Sequence, residues 1–293
     1  MSETNLVRFD WAIKHLLRNK ADFVVLEGFL SELLKTDVTI DSILESESNA
    51  QDCDDKTNRM DLFAKLKDGE NVIIEVQCIG QWDFLSRMLY GVSKVVIEHL
   101  KKGDPYGKIP RIISVNIVYF NLGEGEDYIY HGRTEFKGIH KHDTLKLGER
   151  ERQMYPPSIK DVSMVYPEYF VMKVDQFRDS IKDKLDEWMY FLKNSAIKPE
   201  FNAKGIQDAA QKLAILQLSE TERKRYERYT ESLRNEISLV QTQYAIKKTI
   251  QETEARIIKK MHAAGMSVTE IAKIISFSEA DIEKMLRFST DSN

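Results

Sequence analysis

Cysteine is nearly absent from this 293-residue chain: Cys53 and Cys78 are the only two. That number is too small for a disulfide framework or a cysteine-rich zinc site, and a reducing, cytoplasmic compartment is the expectation. Long apolar runs are missing as well. None approaches the roughly 18 residues a membrane span needs, so no membrane partner is expected. The opening MSETNLVRFD has neither a basic n-region nor an apolar h-region, and no signal peptide is expected. No internal repeat and no low-complexity segment is present. No glycine-rich loop has P-loop spacing, and no serine sits in a nucleophile elbow. The six histidines form no ligand cluster; His131, His140 and His142 fall in a loop-rich region and read as surface residues. A dominant charge is also lacking. The net charge of −4 gives no global pull toward nucleic acid. Its distribution is uneven: residues 1–60 hold seven Lys/Arg against twelve Asp/Glu, residues 200–262 twelve against nine. Any DNA contact must use local basic surface.

What is present supports an α/β domain with a helical appendage. Hydrophobic residues make up 42% of the chain, enough for a real core, and 31% are charged. Residues 8–36 have helical spacing through Trp11, Leu16, Phe23, Leu26, Phe29, Leu30, Leu33 and Leu34. VTIDSIL reads as a first strand, and the polar, acidic segment 45–58 as a loop. QWDFLSRMLYGVSKVVIEHLKKG predicts a helix with Phe84, Met88, Val92, Val95 and Val96 on one side and Gly103 as its stop signal. RIISVNIVYF predicts a buried strand, YIYHGRTEF a further strand, residues 141–160 an irregular stretch, and YPEYFVMKVDQF an extended segment. RDSIKDKLDEWMYFLKN is amphipathic at helical period. From about 206 the pattern is helical with no strand candidate, and 220–262 reads as a solvated or partner-binding helix.

The chemistry concentrates in RMDLFAKLKDGENVIIEVQCIG, residues 59–80. LFAKL and NVIIEVQCI are strands joined by a turn at Asp68-Gly69. Val72, Ile74, Val76 and Cys78 alternate with Glu75 and Gln77, which therefore share a face, and Asp61 can lie across from them. A carboxylate in an Ile/Val strand is costly to bury without a partner. A divalent metal is one such partner: Mg2+ takes hard oxygen ligands and keeps several waters. Asp61 and Glu75 would be its carboxylates, the carbonyl of Val76 a third ligand, and Gln77 would orient the attacking water. The other reading is a solvated hairpin face, which carries the same residue types. Asp10 and Lys14, four apart on one helix face, fit either a site contact or a surface ion pair. Arg87 and Tyr90 fit phosphate and sugar or base contacts, or helix-to-sheet packing.

In order along the chain, FDWAIKHLL, RMDLFAKL with NVIIEVQ, QWDFLSRMLYGVSK, HLKKGDPYGKIPRIISVNIVYF and VDQFRDSIKDKLDEWMYFLKN resemble the blocks of the PD-(D/E)xK nuclease superfamily. Within it the chain is similar to the bacterial recombination-promoting nuclease (Rpn) and transposase family. The resemblance covers residues 8–195, about two thirds of the chain. It implies an α/β, restriction-endonuclease-like mixed sheet flanked by helices, and metal-dependent DNA cleavage serving transposition or recombination. Carried over, Asp61 and Glu75 bind Mg2+, with Mn2+ able to substitute. Gln77 takes the superfamily's lysine position, and Asp10 and Lys14 assist, Lys14 restoring the missing cation. Arg87 and Tyr90 touch DNA. Paired cuts would suit a homodimer. The rival is a nuclease fold with weak or lost chemistry that acts as a DNA-binding or protein-interaction module.

The expected organisation is a nuclease-like domain over 1–195, a helical linker region over 196–250 and a helix-turn-helix-like tail over 251–293. In the tail Gly265 breaks a helix, Ser267 and Glu270 form a capping box, and Ser278 caps a last helix with Asp281 three residues on. Ile257, Met261, Met266, Ile271, Ile275, Ile282 and Leu286 are the expected interior. The last helix is acidic at Glu279, Asp281 and Glu283, which opposes presentation to phosphates.

Overall fold

The computed structural model describes residues 4–12, 23–44, 62–80, 83–100, 102–215, 218–275 and 277–287. Two compact units divide the chain, 1–231 and 232–293. The expected linker of 196–250 contains that division.

The first unit is built on a mixed six-stranded sheet with flanking helices, the α/β architecture expected of a restriction-endonuclease-like chain. The strands are β2 (Ile40–Ile43), β3 (Leu62–Leu66), β4 (Asn71–Gln77), β5 (Ile112–Val118), β6 (Ile129–Gly132) and β7 (Glu168–Lys173), in the order β2-β3-β4-β5-β7-β6. A separate pair joins β1 (Thr4–Asn5) to β8 (Ala196–Ile197). The β3–β4 hairpin forms where Asp68-Gly69 predicts it. Gly69 takes φ 90°, a conformation glycine adopts without a Cβ penalty. The Asp68 carboxylate accepts from the Glu70 N–H at 3.1 Å, and Leu66 N–H donates to Glu70 O at 2.8 Å.

β4, β5 and β7 are parallel neighbours. Parallel pairs need a crossover, and α3 (Phe84–His99) supplies the one between β4 and β5. Phe84, Met88, Val92 and Val95 of α3 are buried, as their spacing predicts. All seven residues of β5 are buried, so its sequence reads IISVNIV rather than as an alternation.

The two faces of the sheet carry separate cores. Val72, Ile74 and Val76 of β4 join the large cluster with Trp11, Phe29, Trp188 and Phe191. Ile73 packs instead with Phe63, Val92 and Val95 under α3. The large core is covered by α1 (Phe9–Ala12), α2 (Val24–Leu34), α5 (Lys184–Asn194) and α6 (Ile206–Lys212). Two of these come very close: a Cβ on Gly28 would meet Lys204 O at 2.3 Å and the Gly205 Cα at 2.7 Å. Backbone cannot step aside as a side chain can. Gly28→Ala should therefore destabilise the unit by about 2 kcal/mol or more, read as a lowered urea midpoint; an unchanged midpoint would contradict this packing.

The helical reading of 8–36 corresponds to α1 and α2; Leu16 and the acidic segment 45–58 lie outside the described residues. Within 141–160 the chain forms a short helix, α4 (Glu149–Met154), which the sequence did not announce. After 206, Ala214 makes an isolated antiparallel bridge to Leu6. The long helix α7 (Glu220–Ala263) is largely solvated, but Tyr226 and Tyr229 pack on the large core.

In the second unit, α8 (Val268–Ile275) and α9 (Glu279–Arg287) join the end of α7 around Ile258, Ile271 and Ile282. Ile257, expected inside, is 44% exposed, and Ile258 takes the interior place. Helical spacing fixes a stripe, and adjacent isoleucines leave open which one faces it. Both caps form: Ser267 and Glu270 hydrogen-bond reciprocally, and Ser278 Oγ accepts from the Asp281 N–H at 3.1 Å.

Candidate active site

β4 sits between β3 and β5, and its even-numbered side chains are consumed by the large core. Alternation therefore turns Glu75 and Gln77 to the face that α3 covers. Glu75 is only 6% exposed. Burying a carboxylate there requires a counter-charge. Arg87 of α3 provides it, its Nε lying 2.7 Å from Glu75 Oε1. Gln77, at the end of the strand, donates from Nε2 to Ile79 O at 3.1 Å. Tyr90 is 56% exposed, so helix-to-sheet packing is not its role.

Asp10 is fully buried and enters from another side. Its neighbours Phe9 and Trp11 belong to the large core, and its carboxylate lies at the end of β4 beside Cys78. Arg8 Nε donates to Asp10 Oδ1 at 3.2 Å, Cys78 Sγ to Oδ2 at 3.1 Å, and the Trp11 N–H to Oδ1 at 2.9 Å. Tyr229 of α7 donates its hydroxyl to Oδ2 at 2.5 Å. Arg8 also donates to Cys78 Sγ at 3.2 Å and lies 4.8 Å from the ring centre of Tyr119.

The electrostatics of this cluster follow from its burial. Desolvation disfavours the Asp10 carboxylate, but Arg8, Tyr229, Cys78 and the Trp11 amide outweigh it, and its pKa is lowered. Burial, with the Asp10 charge, pushes the Cys78 thiol up to about 12. The same two causes raise Tyr229. At neutral pH the cluster is thus one carboxylate, one guanidinium, one thiol and one phenol. An inert thiol serves here as a hydrogen-bond donor.

The structure therefore brings Glu75 to Arg87, and Asp10 to Arg8, Cys78 and Tyr229. Glu75 and Gln77 look toward α3, whereas Asp10 fastens the strand end. Asp61 and Lys14 lie outside the described residues. Among the described residues no three His, Cys, Asp or Glu side chains gather as a metal site. Two contributions escaped the sequence reading. Tyr229 is 219 positions from Asp10 and carries no local signal. Asn116 does carry one, being an amide inside the fully buried IISVNIV run. It stands in register with Glu75.

A model of a protein family described as PD-(D/E)XK nuclease family transposase matches residues 7–243. No curated protein and no solved structure matches the chain.

Proposed function

The chain belongs to the PD-(D/E)XK nuclease family transposases, and on that footing we propose that it is a divalent-metal-dependent DNA endonuclease acting in transposition or recombination. The observation that supports this most is the buried Glu75 carboxylate, held on a central strand of the family's sheet. Its partner in the proposal is Asp61. Asp61 directly precedes β3 in the sequence, and β3 pairs with β4.

The polar groups suit a hydrated hard cation: the Glu75 carboxylate as a ligand and, on the neighbouring strand, the side-chain oxygen of Asn116 as an acceptor for a bound water, an oxygen with no hydrogen-bond partner among the described residues. When bound, Mg2+ or Mn2+ would polarise a phosphodiester oxygen and make a water more acidic. Glu75 and Asp61 would hold that cation. Gln77 would orient the attacking water through its amide, giving up the local bond to Ile79 to do so. Arg87 and the exposed Tyr90 would meet the DNA backbone, and Lys14 would supply the cation that glutamine lacks. Asp10 would act through the position of the strand end. DNA is the proposed partner, a cytoplasmic location and a homodimer the proposed setting.

Purified protein should nick supercoiled plasmid with Mg2+ or Mn2+ and not with chelator, and Asp61→Ala should remove that nicking. Metal-independent nicking, or full activity in the Asp61 variant, would reject the reading. A second reading draws on the Arg87–Glu75 ion pair, since a cation already compensates the carboxylate. On that reading the chain binds DNA or protein without cutting, and Mn2+ titration gives no heat that depends on Glu75.

A further inference from the structure

Neither the hydrophobic cores nor the ion pair at Glu75 accounts for the side chain of Asn116. It lies in β5, is fully buried, and is in register with Glu75 of β4 on one side and Val171 of β7 on the other. Residues so paired share a face of the sheet, with strands about 4.8 Å apart. Its Nδ2 donates to Ser114 Oγ at 2.9 Å, Ser114 O at 3.2 Å and Phe170 O at 3.2 Å. Two of those acceptors are backbone carbonyls, which cannot donate. The amide therefore cannot be turned over without setting oxygen against oxygen. Phe170 belongs to β7, so the nitrogen points that way. The oxygen is the other end of the planar group, and the side chain shares its face of the sheet with Glu75. Among the described residues Asn116 Oδ1 has no hydrogen-bond partner, and a buried acceptor left so is costly.

We propose that Asn116 is a positioning residue of the Glu75 site, its Oδ1 accepting a hydrogen bond from a water in the hydration layer of the divalent cation that Glu75 holds. The inference rests on the metal-dependent reading given above. Mg2+ keeps several of its waters. A short side chain on the neighbouring strand is suited to hold one of them, while the longer Glu75 reaches the ion. A neutral acceptor does this without adding negative charge where a phosphodiester must approach. The Nδ2 bonds to the backbone carbonyls of Ser114 and Phe170 fix the acceptor's direction before any cation arrives.

The test is calorimetric titration of Mn2+ into the whole protein without DNA. The wild type should bind in a manner abolished by Glu75→Gln. Asn116→Leu should weaken that binding roughly tenfold or more, the usual effect of losing an outer partner of a metal site. Ser114→Ala removes a bond at the nitrogen end, leaves the oxygen in place and should keep the wild-type affinity. An Asn116→Leu variant that binds Mn2+ as the wild type does overturns the proposal and leaves the nuclease reading standing. A wild type without Glu75-dependent binding overturns both. Should the leucine variant fail to fold, a crystal structure of the wild type soaked in Mn2+ decides: a water bridging Oδ1 to the ion is expected, and an Oδ1 without one refutes the role.

Discussion

Glu75→Gln should leave no detectable Mg2+-dependent nicking, a loss on the order of a hundredfold or more, comparable to removing one preorganised electrostatic contact from a transition state. The substitution keeps the shape of the side chain and removes only its charge. It should also lower folding stability by about 3 kcal/mol, because Arg87 is left in a mostly buried place without its counter-ion. The two losses must be separated. Nicking is to be measured at a temperature where circular dichroism shows the variant fully folded. Arg87→Gln serves as the companion: it breaks the same ion pair, costs similar stability, and leaves the carboxylate. Mn2+ heat retained in Arg87→Gln and absent in Glu75→Gln assigns the metal to Glu75. Equal plasmid nicking by Glu75→Gln and the wild type would end that assignment.

Asp10→Asn should cost about 3 kcal/mol at pH 7, since it strips the counter-charge from the partly buried Arg8. The pH dependence follows from the lowered pKa of Asp10. A group whose pKa is lower folded than unfolded stabilises the protein fully above the unfolded value, here 3.8, and loses that contribution as the pH falls through the folded value. The gap between wild type and variant should therefore be widest at neutral pH and narrow progressively as the pH falls below about 4. Urea denaturation at pH 7, 5 and 3 measures it. A gap as large at pH 3 as at pH 7 would mean that the Asp10 charge is not what holds the cluster together.

Local signals carried much of this fold. The Asp68-Gly69 turn, the β-branched NVIIEVQ strand and the one-sided apolar stripe of α3 each specify their element within a dozen residues. So do the serine caps of α8 and α9. Legibility fades with sequence distance. The pairing of β4 with β5 sets Glu75 beside Asn116, but no short window contains both. The Asp10 cluster draws on residues 8, 10, 78 and 229, and Tyr229 sits in a helix whose composition reads as solvated. Periodicity also blurs between neighbours, as the exchange of Ile257 for Ile258 shows. For the site, strand alternation was enough to put Glu75 and Gln77 together. Which residue would compensate that carboxylate required the packing of α3, and the ion pair to Arg87 is its result.

The complete burial of β5 has a consequence for the nascent chain. Its apolar run ends at Val118, but the strand that covers its far side, β7, ends at Lys173. At roughly 5–20 residues per second of synthesis, that edge waits on the order of seconds before its neighbour has left the ribosome. During that interval an unpaired apolar edge is a template for intermolecular pairing. Production of this protein should therefore be governed less by the stability of the finished sheet than by what shields that edge in the meantime.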